Sequence, residues 1–255
     1  MFTPEVYTAR RAALRKKIKS GIILLPGNLD APVNYPANSY GFRQDSNFLY
    51  YFGLAQPGFA GLIDVDRDTD CLYADDWTMD DLIWMGPQPT VRELAARGGV
   101  MSAGNLQELA ATLNSAIKKG RKIHYVPPYR GETKLQLAAW LGVAVERLKD
   151  YVSRDLIRAI VSMREIKQPE EIAQLDDVAQ TGYRMHTAAM ALCREGLTER
   201  DVAAELDRIA ALGGGRTSFR SIVSQHGETL HNLSYDGRLE AGRLLLIDAG
   251  AENAM

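Results

Sequence analysis

The chain changes rhythm as it is read. From Glu5 to Lys19 apolar residues fall three and four apart, which predicts a helix. Ala12, Ala13, Leu14 and Ile18 form its inner face, and Arg10, Arg11, Arg15, Lys16 and Lys17 are expected to form a solvated one. Gly21–Pro26 is a short apolar run of strand length, and residues 26–36, rich in Pro, Gly and Asn, read as loop. The aromatic stretch Asn47–Phe52, closed by Gly53, predicts a strand. Phe59–Val65 and Cys71–Ala74 predict two strands joined by a polar turn. A helix is expected over 105–118, a strand over 122–126 stopped by Pro127-Pro128, and a helix over 133–148. Strands alternating with helices predict an α/β domain over roughly the first 150 residues.

The second part has a different texture. Pro169-Glu170-Glu171 opens a long helix, with proline at the first helical position and acids at the positive end of the helix dipole. Ile172, Leu175, Ala179, Gly182, His186, Ala189 and Cys193 follow on one face. Gly196 ends the pattern, Thr198 and Asp201 have the spacing of a capping box, and a further helix runs to Leu212 before Gly213-Gly214-Gly215. Ser218–Ser224 and Arg243–Ile247 read as strands. The domain boundary is expected near 155–168, giving domains over 1–160 and 161–255.

The bulk numbers leave this picture standing. The 255 residues are 46% hydrophobic and 24% charged, a globular balance with enough chain for a sizeable core. Net charge is −2 with no basic stripe, so a nucleic-acid partner is not expected. No apolar run reaches the length of a membrane helix and the start lacks the form of a signal peptide, so no membrane partner is expected. Two distant cysteines, Cys71 and Cys193, suggest no disulfide framework and a reducing, cytoplasmic setting.

Asp248 follows Leu244–Ile247, read as a buried strand, and precedes Ala249-Gly250-Ala251. A carboxylate at such a strand end suits a hard metal ligand. Locally, a turn-capping Asp is the simpler reading, since one carboxylate does not make a metal site. His231 sits in the polar loop Gln225–Asn232, where imidazole could exchange a proton near neutral pH, although a surface histidine accounts for it equally well. His186, on the apolar helix face, reads as a satisfied core histidine, and His124 is uninformative. The acidic run Asp64–Asp70 lacks the glycine and closing glutamate of a calcium loop and reads as a turn. Gly213-Gly214-Gly215 follows a helix rather than opening one, which is wrong for a phosphate cradle.

Several segments in order resemble the aminopeptidase P and prolidase family, the pita-bread metallopeptidases. They are Phe42–Phe48 (FRQDSNF), Trp84-Met85-Gly86-Pro87, Met163–Ile172 (MREIKQPEEI), Ser221-Ile222-Val223 with Leu230-His231, and Leu246–Glu252 (LIDAGAE). The resemblance implies a mixed-sheet α/β N-terminal domain followed by the first half of an α+β pita-bread catalytic domain. It implies an Xaa-Pro aminopeptidase that acts on peptides with proline at the second position through two divalent ions, Mn2+, held by two Asp, one His and two Glu. Asp248 matches the first Asp ligand, and His231 matches a histidine that contacts substrate. Trp84 matches a tryptophan that approaches a neighbouring subunit's site in related homo-oligomers. The remaining ligands have no counterpart before Met255, so this chain alone is expected to hold no metal and to be inactive. The alternatives are a non-enzymatic pita-bread protein that binds peptides or proteins, a prolidase-type dipeptidase, a metal-free creatinase-like hydrolase, and an oligomerisation module.

Overall fold

The computed structural model describes residues 1–232 and 234–255, which form two compact units, Met1–Ile166 and Lys167–Met255. In chain order unit one contains α1 (Pro4–Lys17), β1 (Ile22–Pro26), β2 (Pro32–Tyr35), β3 (Asn38–Ser39), α2 (Ser46–Phe52), β4 (Ala60–Asp64) and β5 (Thr69–Tyr73). It continues with α3 (Met79–Met85), α4 (Val91–Arg97), β6 (Ser102–Gly104), α5 (Leu106–Lys118), β7 (Ile123–His124), α6 (Gly131–Leu141), a 3-10 stretch (Val145–Tyr151) and α7 (Arg154–Arg164). Helix α7 runs across the expected 160/161 boundary, and its Leu156, Ala159 and Ile160 are packed in the unit-one core.

The sheet of unit one is mixed, in the order β6-β5-β4-β1-β7. β1 pairs antiparallel with β4 and parallel with β7, and β5 pairs antiparallel with β4 and parallel with β6. The inner strand β1 explains the unbroken apolar run of residues 21–26. Ile23 and Leu25 pack on one face with Leu14, Phe48, Phe52 and Leu94, while Ile22 and Leu24 pack on the other with Leu109, Leu113 and Leu137. A strand covered by helices on both sides loses the polar alternation of a half-solvated one.

Two expectations fail for physical reasons. Asn47–Phe52 is helical, not a strand. The Asp45 carboxylate accepts from the N–H groups of Asn47 and Phe48 at 2.9 and 3.0 Å, and Gly53 closes the helix at φ 72°. Caps at both ends override the strand preference of the aromatics, and Phe48 and Phe52 stack one turn apart at 5.2 Å. Second, Arg10 and Arg11 are not a wet face: both are buried. Arg11 donates to the carbonyls of Tyr51, Gly98 and Gly99 and to Asp70, so a sequence-local charge is satisfied by groups far along the chain. In addition, the expected 26–36 loop contains the exposed strand β2, which pairs with β3 just beyond it, and the helix expected over 133–148 breaks at Gly142. The acidic run does form the β4–β5 turn, with Asp64 accepting from the Asp66 and Arg67 amides and from Arg121.

Gly53 gives a direct test of this packing. A Cβ there would lie 2.2 Å from Tyr7 Cζ, in a left-handed backbone that side chains rarely adopt. Gly53→Ala is expected to destabilise unit one by about 2–5 kcal/mol, combining backbone strain with overpacking. Urea denaturation reads this, and a loss under about 0.5 kcal/mol would show that the site relaxes freely.

His124 gives a pH test. Its ring is buried, with Nδ1 2.7 Å from Ser153 Oγ and Nε2 2.9 Å from the Ser20 carbonyl oxygen. Burial pushes its pKa below the ordinary histidine value, partly opposed by the Ser20 hydrogen bond. The unfolded chain therefore binds a proton that the folded chain refuses, so this group's contribution to stability falls as pH drops below about 6.5. The His124→Gln variant is expected to show a shallower loss between neutral pH and mild acid. Parallel slopes would remove the histidine from the account.

Unit two contains α8 (Pro169–Leu192), α9 (Glu199–Leu212), β8 (Arg216–Thr217), β9 (Ile222–Ser224), β10 (Leu246–Asp248) and β11 (Ala251–Glu252). The expected capping box is present, with Thr198 Oγ1 accepting from the Asp201 amide and the Asp201 carboxylate accepting from the Thr198 amide. α8 packs on α9 through Met185 and Ala189 against Val202, Leu206 and Ile209. The buried line of α8 is thus Thr181, Met185 and Ala189, whereas Ile172 and Leu175, expected on that face, are exposed. Two antiparallel ribbons, β9–β10 and β8–β11, complete the unit. No helix of the described residues is long and apolar enough to cross a membrane.

Candidate metal centre and its supporting loop

The sequence places Asp248 at the end of a strand, and the structure does so in unit two: Asp248 closes β10 opposite Ile222. The strand is not buried as expected. Leu244 is 92% exposed and Leu246 and Ile247 are only half-buried, because β10 has a single partner strand, β9.

Register sorts the ribbon into two faces. Val223 and Ile247 are paired and belong to the unit-two core. Alternation turns Ile222, Ser224, Leu246 and Asp248 to the opposite face. The loop carrying His231 folds over that same face. Ser224 is buried, and its Oγ accepts from the His226 amide and from Asn232 Nδ2, both at 3.0 Å. A Cβ on Gly227 would meet the Leu246 side chain at 3.5 Å. His231 is exposed in a turn next to anchored Asn232, and Asp248 lies exposed two residues along β10 from Leu246. The structure therefore anchors the loop that carries His231 on the ribbon face to which Asp248 belongs.

The segment after Asp248 is held from three sides. His186 Nε2 lies 3.1 Å from the Ala249 carbonyl oxygen, so this half-buried histidine is partnered, as expected of a structural one. The Ser218 amide donates to the Gly250 carbonyl at 2.9 Å, and Arg216 pairs with Glu252 at 2.7 Å. These contacts hold the backbone just beyond the end of β10.

Trp84 belongs to unit one. It lies on α3, which is capped by Thr78 and Asp81, and it is 87% exposed beside exposed Met79, Ile83 and Met85.

Sequence reasoning missed Glu199, the first residue of α9. There it reads as an ordinary acid placed to suit the helix dipole. In the structure it is 2% exposed, and its carboxylate accepts from the amides of Gln225 at 2.9 Å and Gly237 at 3.4 Å. No local pattern signals this, because the partners lie 26 and 38 residues away.

The donor set does not close around a metal. Among the described residues no three His, Cys, Asp or Glu side chains are grouped to hold an ion. Divalent ions of this kind take several oxygen or nitrogen donors. The residues present, by themselves, do not fit the metal pair that the resemblance implies.

Comparison with known proteins follows the same division. Residues 7–125 match the family described as aminopeptidase P, N-terminal domain, and residues 173–254 match metallopeptidase family M24. An Xaa-Pro aminopeptidase of Haemophilus influenzae is 30% identical over 230 residues, covering 85% of this chain and 50% of that protein. A "Probable Xaa-Pro aminopeptidase" of Chaetomium globosum is 26% identical over 248 residues, covering 96% of this chain and 40% of that protein. The chain thus spans about half the length of the curated relatives it matches. In fold it is similar to Pseudomonas aeruginosa aminopeptidase PepP, with TM-score 0.84 at 24% identity, covering 99% of this chain and 60% of that one. Proline aminopeptidase P II from Yersinia pestis gives the same TM-score, 0.84. The chain thus joins an aminopeptidase P N-terminal domain in its first unit to part of an M24 metallopeptidase domain in its second.

Proposed function

We propose that the complete protein of which these residues form part is a metal-dependent exopeptidase that removes the first residue of a peptide whose second residue is proline. The observation that carries this reading is the shared ribbon face: Asp248 ends β10 while the His231 loop is pinned over the same side by Ser224 and Asn232. It supports a role for both residues at one reaction centre. Asp248 contributes one carboxylate to a site whose other donors come from sequence outside these residues. His231 is an exposed donor placed to hydrogen-bond the oxygen of a scissile carbonyl, where charge develops during hydrolysis. The bond before proline has no N–H on its nitrogen, so recognition there rests on ring shape instead of on an amide donor.

Exposed apolar α3, with Trp84 at its end, supports a homo-oligomeric contact. Free Cys71 and Cys193 support residence in the reducing cytoplasm.

The test is hydrolysis by the complete polypeptide of matched Xaa-Pro and Xaa-Ala peptides, before and after chelation and Mn2+ readdition. Cleavage confined to the Xaa-Pro series and restored by Mn2+ is expected. Cleavage of dipeptides alone would make the protein a prolidase, metal-independent turnover would favour a creatinase-like hydrolase, and peptide binding without turnover would make it a binding protein.

A further inference from the structure

The structure assigns to Glu199 a role that its place at the start of a helix conceals: we propose that it is the positioning residue that clamps both ends of the loop carrying His231. The inference rests on the reading of His231 given above, although its geometry stands independently of it.

Glu199 Oε1 accepts from the Gln225 amide at 2.9 Å, where the chain leaves β9. Its Oε2 accepts from the Gly237 amide at 3.4 Å, where the chain returns to α9. The Glu199 backbone amide also donates to the Gly237 carbonyl at 2.9 Å, so one residue engages the returning strand twice. A charged acceptor shared between two backbone donors in a dry setting is stronger than a neutral one, and its removal leaves both donors without a partner.

Gly237 is fitted to this carboxylate. A Cβ there would stand 2.8 Å from Glu199 Cδ and 2.9 Å from Oε1, so any side chain pushes the clamp open. Further anchors lie inside the loop, among them Asn232 Nδ2 on Ser224 Oγ and the Ser234 amide on Asn232 Oδ1, both at 3.0 Å, and the Tyr235 hydroxyl on the Ser221 carbonyl. Gln225 is held again across the neck, its Nε2 donating to the Glu240 carbonyl at 3.2 Å and its Oε1 accepting from the Glu240 amide at 3.0 Å. Glu199 therefore closes the neck, and Asn232, next to His231, fixes the tip. A loop with a closed neck and an anchored tip holds its side chains in one arrangement, which is what electrostatic assistance to a reacting carbonyl requires.

Two readouts separate the clamp from the function that it serves. In the 255-residue chain, hydrogen exchange of Glu199→Gln is expected to accelerate about tenfold or more at Gln225, at Gly237 and across His226–Asn232, with Val202–Ile209 in α9 unchanged. In the complete protein, kcat for an Xaa-Pro peptide is expected to fall on the order of 10–100-fold with KM little changed. His231→Ala is expected to cost on the order of 100-fold, and the double variant no more than His231→Ala alone, because the clamp acts through the histidine. Gly237→Ala repeats both measurements should Glu199→Gln fail to fold. Uniformly faster exchange across unit two, unchanged exchange in the loop, or additive losses in the double variant would overturn the proposal. A complete wild-type protein without peptidase activity would refute the function while the exchange data still decide the clamp.

Discussion

Purified as these 255 residues alone, the protein is expected to show no Mn2+-stimulated cleavage of an Xaa-Pro peptide above background, and calorimetry is expected to find no specific Mn2+ binding. The reasoning is a donor count. Asp248 is exposed at the end of a two-stranded ribbon, and no group of three His, Cys, Asp or Glu side chains converges among the described residues. A lone solvated carboxylate competes poorly with the water shell of a divalent ion, whereas binding sites for such ions supply several oxygens at once. Since enzymes accelerate their reactions by roughly 10⁶-fold or more, the contrast with a complete protein that has the proposed activity is many orders of magnitude. The matched control is Asp248→Asn in the complete protein, expected to lose Mn2+ affinity and activity together. Hydrolysis by the purified 255-residue chain that needs Mn2+ and disappears in Asp248→Asn would sink the donor count.

Replacing Arg11 with Met is expected to cost unit one about 3–5 kcal/mol, the range for breaking a buried, fully partnered charge. Arg11 is fully buried and spreads its fork over three parts of the chain, β5, α2 and the turn after α4. Nε donates to Asp70 at 2.7 Å, Nη1 to the carbonyls of Tyr51 at 2.7 Å and Gly98 at 2.9 Å, and Nη2 to the Gly99 carbonyl at 2.8 Å. Desolvation lowers its pKa while Asp70 opposes that shift, the balance of a charge kept in the interior by its partners. Met fills similar volume but takes the Arg11 donors from the Tyr51 and Gly98 carbonyls, leaves the Gly99 carbonyl with the Thr8 hydroxyl at 3.3 Å, and leaves Asp70 with Arg15 as its remaining arginine partner. Lys is not a rescue, because a single ammonium does not span a planar fork of donors. All three tryptophans, Trp77, Trp84 and Trp140, lie in unit one, so tryptophan fluorescence follows its unfolding selectively. A loss below about 1 kcal/mol, or near-complete rescue by Arg11→Lys, would show that the guanidinium is dispensable.

Much of the architecture was legible locally. The run Gly21–Pro26 predicts a strand, and β1 is one; the spacing over 105–118 predicts a helix, and α5 is one. Thr198 and Asp201 predict the start of α9, because a capping box is satisfied by atoms three residues apart. The errors share one cause. Aromatics at 48–52 suit a strand until the caps Asp45 and Gly53 are weighed against them, and Arg10 and Arg11 read as solvated until Tyr50, Tyr51, Gly98 and Gly99 arrive to accept their N–H groups.

The candidate site divides along the same line. The sequence by itself determined the family resemblance, the order of the two units and three site candidates, Asp248, His231 and Trp84, because family segments, caps and hydrophobic rhythm are written within a few residues of one another. Only the tertiary structure decided that the loop carrying His231 is anchored on the ribbon face that bears Asp248, that Leu244 is exposed where burial was expected, and that the Glu199 carboxylate accepts from both ends of that loop. Those facts depend on strand register and on hydrogen bonds spanning tens of residues, and such partners are chosen by the packed fold, not by the neighbours of each residue along the chain.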